Sequence, residues 1–322
     1  MNVLITSASR KVSLVNAFKD ALRAEGGGMV VAVDVSALSA ALYVADEHCL
    51  VPADADPGFI PRILEICKDY EVGLLIPTRD EELPIFAQHR ERFADVGVTV
   101  MVSSPLTVRT CQDKWLFYEF CRGHGFSMPQ LYGADAVDRD IDYPLFAKPR
   151  VGKGGRGVFL ISSRVEHRRV LQETPYMLIQ EFVRAQEYTI DLFADFNGRV
   201  ISIVPRQRIV VLGGESFVGR TCKNPQLIEE AERLAVTLNL RGHNTLQCFL
   251  DGGCVKFIEV NPRFGGGAAL GFAAGANSPL FLVRLLKGLT VAPVIGEFKD
   301  NYYMLRYTQE MFTDGKKEEL YV

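Results

Sequence analysis

The first hundred residues alternate short apolar runs with helical periodicity, and that alternation leaves few folds open. Val3-Leu4-Ile5 is a strand-length run, followed by a polar loop over 6–11. Val15, Phe18 and Leu22 then recur at helical spacing until Gly26-Gly27-Gly28 ends the helix. Val30-Val31-Ala32-Val33 and Leu74-Leu75-Ile76 read as further strands, separated by a helix carrying Ile60, Ile63, Cys67 and Tyr70. A helix over about 82–93 leads to a strand at 98–102. Strands alternating with helices of this length indicate a parallel sheet covered on both faces. Residues 1–105 are therefore expected to form a Rossmann-like unit.

The pattern changes after Ser103-Ser104-Pro105. Helices at 105–111 and 113–124 precede strands at 144–148, 158–161 and 177–183 and a helix at 164–173, a small α+β unit within 106–183. Over 184–322 antiparallel hairpins dominate. Strands 187–195 and 199–204 flank Phe196-Asn197-Gly198, and Asn-Gly is the strongest short hairpin signal. A helix over 225–239 leads to a second hairpin, 245–250 with 255–261, turning at Asp251-Gly252-Gly253. The expected class is α/β, in three units.

Composition removes several functions. A net charge of −3 gives no polybasic footprint for nucleic acid or anionic membrane. The longest weakly charged stretch, 264–283, is glycine-rich and contains Asn277 and Pro279, so it is not a bilayer span. The apolar start is too short for a signal peptide. Seven dispersed cysteines without a C-x-x-C pair argue against zinc ribbons and dithiol chemistry and fit a reducing cytoplasm.

Three runs carry chemistry. In Lys148-Pro149-Arg150-Val151-Gly152-Lys153-Gly154-Gly155-Arg156-Gly157, four glycines within six residues let backbone N–H groups close over a polyphosphate. Lys148 ends the preceding strand as a point charge for phosphate oxygens. A flexible surface loop would carry the same letters. In Ile258-Glu259-Val260-Asn261-Pro262-Arg263, Glu259 and Asn261 share a strand face, with Gln247 opposite on the partner strand. A carboxylate and amide oxygens suit Mg²⁺, a hard cation; an exposed polar strand face is the blander reading. In Gln180-Glu181-Phe182-Val183, a strand end can meet an adenine edge with backbone groups, and Glu187 beyond it can accept ribose hydroxyls. Glu187 and Asp191 share a face, as do Arg206 and Arg208, which cross-strand charge pairing alone would also explain.

The first strand–helix turn, Thr6-Ser7-Ala8-Ser9-Arg10-Lys11, has no glycine, so the dinucleotide fingerprint is missing. A nicotinamide-dependent oxidoreductase is thereby disfavoured. A helix starting near Ser9 or Arg10 would present free N–H groups at the carboxyl end of a parallel sheet. Ser7, Ser9, Arg10 and Lys11 are candidates for an anionic substrate group, and Arg79, Asp80 and Glu81 for a cationic or hydroxylated part. Simple capping by Ser9, with Arg10 and Lys11 solvated, would look the same.

Lys114, Lys148 with its glycine loop, Gln180-Glu181-Phe182-Val183, Glu187, Arg206, Gln247, Glu259, Asn261 and Arg263, in this order, resemble the ATP-grasp superfamily. The likeness is strongest to its carbamoyl phosphate synthase-like branch, through Glu259-Val260-Asn261-Pro262-Arg263-Phe264-Gly265-Gly266-Gly267. It covers nearly the whole chain. The resemblance implies that Lys114 and Lys148 hold the ATP phosphates under a lid of Gly152, Gly154, Gly155, Arg156 and Gly157. Glu181, Phe182 and Val183 would bind adenine and Glu187 the ribose. Gln247, Glu259 and Asn261 would ligate one or two Mg²⁺ ions, with Mn²⁺ a substitute. Arg206 and Arg263, with Lys148, would be catalytic.

The implied activity is ADP-forming ligation of a small-molecule carboxylate to an amine through an acyl phosphate. A homodimer is left open. With one ATP-grasp unit and no internal repeat, complete carbamoyl phosphate synthesis is not expected. Partial activity on bicarbonate, or an ATP-binding sensor without turnover, are the competing readings.

Overall fold

A computed structural model describes residues 1–152, 157–174 and 176–313. Its opening sheet holds Glu47–Leu50, Val30–Asp34, Asn2–Ile5, Val72–Ile76 and Thr99–Val100 in that spatial order, every pair parallel. Alternation sorts the side chains. Val3, Ile5, Val30, Ala32, Leu74 and Ile76 turn towards helix Val12–Ala24. Leu4, Val31, Val33 and Leu75 turn towards helices Phe59–Asp69 and Leu83–Ala94 on the other face. Both faces are dry, which is why these strands read as unbroken apolar runs. The polar edge strand Glu47–Leu50 was not expected from its sequence; half-exposed at the sheet margin, it needs no apolar pattern.

The first helix begins at Val12, not at Ser9 or Arg10, and the side chain at its cap position, Lys11, makes no capping hydrogen bond among the described residues. Ser7 and Ser9 take left-handed torsions, φ 48° and 47°, that a helix cannot continue. The Ser9 N–H goes instead to Asp34 Oδ2 at 2.8 Å.

The second sheet is antiparallel, in the order Leu131–Tyr132, Met177–Glu181, Leu145–Pro149, Phe159–Ile161. Helix Arg164–Glu173, capped by Ser163, adds Val170 to its small core of Leu145, Ala147, Ile161 and Ile179.

The third sheet has six antiparallel strands, in the order Cys254–Asn261, Gly242–Asp251, Gln186–Ala194, Val200–Leu212, Glu215–Thr221, Tyr303–Leu305. The Asn-Gly hairpin forms, closed by Asp195 N to Arg199 O at 2.9 Å with Gly198 at φ 87°. The second hairpin turns more tightly than expected, on Gly252 and Gly253 alone. The strand expected to stop at 204 runs to Leu212, because Pro205, Arg206, Gln207 and Arg208 interrupt its apolar pattern without breaking its pairing. Helix Pro225–Leu238, capped by Asn224 and ended by left-handed Asn239, packs Leu227, Ala231, Leu234 and Leu238 on this sheet.

The first and third layers share one core. Phe18 meets Phe264 edge-on with centroids 5.8 Å apart, and Phe281 and Leu282 join the same cluster. That junction holds the carboxyl ends of the parallel strands beside Asn261 and Arg263. Among the described residues, no helix is long and apolar enough to cross a membrane.

Candidate active site

A cavity of about 410 Å³ opens between the second and third sheets. Lys148 comes from the end of strand Leu145–Pro149 and is 6% exposed. Burial lowers its pKa to about 8, with Glu259 opposing and Lys114 reinforcing the shift. Lys114 opens helix Lys114–Gly123, whose cap Asp113 accepts from Trp115 N and Leu116 N. Its Nζ donates to Gly152 O at 2.7 Å and stands 3.9 Å from Glu259 Oε2. Arg150 closes on Asp113, Nε to Oδ1 at 2.8 Å, fastening the start of the glycine loop to that helix. Gly154, Gly155 and Arg156 lie outside the described residues; Gly157 is a left-handed turn residue at φ 71°.

The inner wall is apolar, with Phe146, Phe182, Val183, Phe249 and Ile258. Glu181 lines it too, but its carboxylate takes Gln130 N at 3.2 Å and Lys256 Nζ at 2.9 Å. What Glu181 can offer a planar base is therefore backbone. Glu187 lines the cavity paired with Arg208, which also gives Nη2 to Gly214 O at 2.7 Å and Nη1 to Gln247 Oε1 at 3.5 Å. Sequence reasoning gave Arg208 no role. Its spacing of two from Arg206 puts both on one face, but only the fold shows which of them reaches the cavity.

Gln247 stands opposite Glu259 on the ladder, and Asn261 Nδ2 donates to Glu259 Oε1 at 3.1 Å. One carboxylate and two amide oxygens converge on a strand end, with Lys148 and Lys114 behind. The set fits Mg²⁺, which takes oxygen donors and leaves positions for phosphate. Among the described residues there is no cluster of three or more His, Cys, Asp or Glu that would suit a softer or more highly charged site.

A second, smaller cavity of about 140 Å³ adjoins the first, sharing Lys114, Gly152 and Glu259, and adds Asp80, Glu81, Gln112 and Asn261. Arg263 lines neither cavity but stands beside the smaller one, held by its lining residue Asp80. Its Nε and Nη2 reach Asp80 at 2.8 and 2.6 Å, its Nη1 donates to Phe264 O at 3.1 Å, and Nη2 approaches Asn261 Oδ1 at 3.5 Å. Asp80 follows a strand of the first sheet, so this ion pair joins two layers across 183 residues of chain.

The first turn lies close by. Ser7 Oγ donates to Glu82 Oε2 at 2.9 Å, and the other oxygen of Glu82 takes the N–H groups of Thr78 and Arg79. Glu82 is fully buried, and burial raises its pKa against these hydrogen bonds. Sequence reasoning placed it merely in a helix. Lys11 turns inward, Nζ to Ser7 O at 3.1 Å, while Arg10 is exposed. Burial and then the charge of Arg263 lower the Lys11 pKa, against Glu82 and Asp34. Arg79 pairs with Glu81 at 3.3 Å and lies 3.7 Å from Asp54. Arg206 lines neither cavity; it is 1% exposed and bonded to Asp191.

Residues 111–267 match the ATP-grasp domain, and residues 3–101 the PylC-like, N-terminal domain. The chain belongs to the ATP-grasp superfamily. ATP-grasp members are ligases that use ATP and typically Mg²⁺. This ATP-grasp chain is 25% identical over 197 residues to the carbamoyl phosphate synthase large chain of Deinococcus deserti, covering 54% of the chain and 19% of that protein. It is 25% identical over 162 residues to D-alanine–D-alanine ligase of Petrotoga mobilis, covering 47% of the chain and 53% of that protein. The chain thus spans about a fifth of one relative and half of the other. Its fold matches biotin carboxylase from Campylobacter jejuni with TM-score 0.74 at 17% identity, over 94% of this chain and 74% of that one.

Proposed function

We propose that this ATP-grasp protein phosphorylates a carboxylate with MgATP and transfers the acyl group to an amine, releasing ADP and phosphate. The observation that carries this is the meeting of two cavities at Glu259 and Lys114. A nucleotide in the larger one would point its terminal phosphate at whatever fills the smaller. Lys148 and Lys114 neutralise the phosphates, the apolar wall takes adenine, and Glu187 takes the ribose. Gln247, Glu259 and Asn261 would hold Mg²⁺, which would supply charge to offset that on the transferring group. A carboxylate oxygen attacks the terminal phosphorus and the bond to ADP breaks. The amine then attacks the acyl carbon, phosphate leaves with the bonding electrons, and the amine gives up a proton. Arg263 stabilises the charge developing on the phosphoryl oxygens.

Turnover with an ¹⁸O-labelled carboxylate tests this directly. One labelled oxygen should appear in the released phosphate, with ADP as the nucleotide product. Unlabelled phosphate, or AMP with pyrophosphate, would exclude the acyl phosphate.

The carboxylate substrate is placed, in this proposal, between Lys11 and Arg263, with Ser7 and Ser9 at the rim and Arg79, Asp80 and Glu81 facing its other polar groups. Two cations from different layers support the reading, and Arg10, being exposed, is demoted. Lys11→Met should raise the carboxylate KM at least about tenfold, the value of one charge-assisted contact. Arg10→Ala should leave it within about twofold, as surface changes do. Equal effects of the two, or an effect on the ATP KM alone, would move the substrate elsewhere.

A further inference from the structure

Two rows of side chains cross the third sheet on one face. Glu259, Gln247, Thr189 and Arg206 lie side by side in the first, and Asn261, Thr245 and Asp191 in the second. One end of these rows carries the candidate metal ligands. At the other, Arg206 and Asp191 are 1% and 4% exposed and share two hydrogen bonds, Nε to Oδ2 at 2.6 Å and Nη2 to Oδ1 at 2.8 Å. His243 stands 3.8 Å from the same carboxylate, bonds Ser278 Oγ at 2.8 Å and stacks on Phe264.

The chain just after Arg263 covers this pair. A Cβ on Gly267 would lie 2.4 Å from Arg206 Nη1, and one on Gly265 would lie 2.6 Å from Thr245 Oγ1. On Gly271 it would lie 3.2 Å from Asp191 Oδ2. None of these three glycines has a positive φ, so close approach, not backbone torsion, is what requires glycine there. From outside, Arg306 Nη2 holds Gly266 O at 2.8 Å.

We propose that Arg206 and Asp191 are positioning residues: a buried pair on which the 265–267 loop is seated, and through which Arg263 is aimed at the phosphoryl group. This rests on the ligase reading above. Arg206 lines neither cavity and its side chain is 2% exposed against 18% for Arg263, so its influence passes through the loop. A buried ion pair is a weak stabiliser compared with apolar packing, but its fixed geometry gives a loop one resting place. The planar guanidinium, flat against a backbone that has no side chain, is suited to that seat.

The test is a double-mutant cycle. Gly267→Ala drives a methyl into the guanidinium and should slow MgATP turnover about 100-fold, the cost of roughly an ångström of misplacement. MgADP affinity should change less than about threefold, since its contacts lie on other elements. Arg206→Lys alone should cost about tenfold, the guanidinium seat being lost. The double variant should turn over faster than Gly267→Ala alone, because the slimmer lysine makes room for the methyl. A double variant as slow as Gly267→Ala, or slower, would overturn the proposal and favour direct contact of Arg206 with substrate. Hydrogen exchange of the amides at 264–268 reads the same cycle without chemistry. Faster exchange in Gly267→Ala should be partly reversed in the double variant, and no reversal would equally overturn the proposal. Should wild-type protein bind MgADP but never turn over MgATP, the ligase reading falls, and the exchange measurement still decides the seat.

Discussion

Glu259→Ala is expected to slow ADP release at least about 100-fold, about 2.7 kcal/mol of barrier at about 1.36 kcal/mol per tenfold. Glu259 is the carboxylate of the oxygen set and, with Lys114 and Gly152, lines both cavities. On the proposed assignment, its loss would remove a charged metal ligand and leave two amides, Gln247 and Asn261, which would bind Mg²⁺ less well. The side chain is 25% exposed and belongs to no apolar cluster, so the fold should be retained, with a melting temperature close to wild type. A second effect follows at Lys148. Burial lowers its pKa to about 8 while Glu259 resists that shift, so removing Glu259 lowers it further. Nucleotide affinity in the variant should then decline at lower pH than in wild type, because the ammonium that meets the phosphates is lost sooner. A folded variant with near-normal ADP release would end the metal assignment.

The parallel sheet and the Glu259/Asn261 pair were legible because each depends on local periodicity. Counting back through the second hairpin put Gln247 opposite Glu259 even though the turn is shorter than expected; a bulge between Gln247 and Cys248 absorbs the difference. The Asp80–Arg263 pair was not legible, since nothing local links two residues 183 apart. The first turn misled for a physical reason. Ser9 has the letters of a cap, but Asp34 from the neighbouring strand takes its N–H and the helix starts three residues later. Arg206 and Arg208 look equivalent on one strand face. The 265–267 loop buries one and leaves the other at the larger cavity, a distinction that belongs to tertiary structure.

That burial makes Arg206→Ala the most destabilising change foreseen. Removing one partner strands Asp191 in the interior, at a cost of about 3–5 kcal/mol at neutral pH. The pH dependence gives the test its sign. In wild type, burial pushes the Asp191 pKa up, but the charge and hydrogen bonds of Arg206, with His243, prevail and hold it at about 2, below the ordinary aspartate value of 3.8. A depressed carboxylate stabilises the native state fully above its unfolded pKa and loses that contribution as pH falls through the folded one. For Asp191 this amounts to about 2 kcal/mol, lost between about pH 4 and pH 2. Without Arg206 the dominant influence left is burial, which raises the pKa above its unfolded value. The ionised form then destabilises the native state at neutral pH, and protonation relieves it. Denaturant titrations at neutral pH and near pH 4 should therefore show the gap between wild type and Arg206→Ala narrowing on acidification. Replacing both partners, as Asp191→Leu with Arg206→Met, should recover much of the lost stability, because no charge is left stranded. Turnover should stay impaired in that pair, since an apolar seat lacks the guanidinium under Gly267. A gap that holds constant with pH, or a double variant that recovers turnover along with stability, would mean that the ion pair neither governs the fold in this way nor positions the loop.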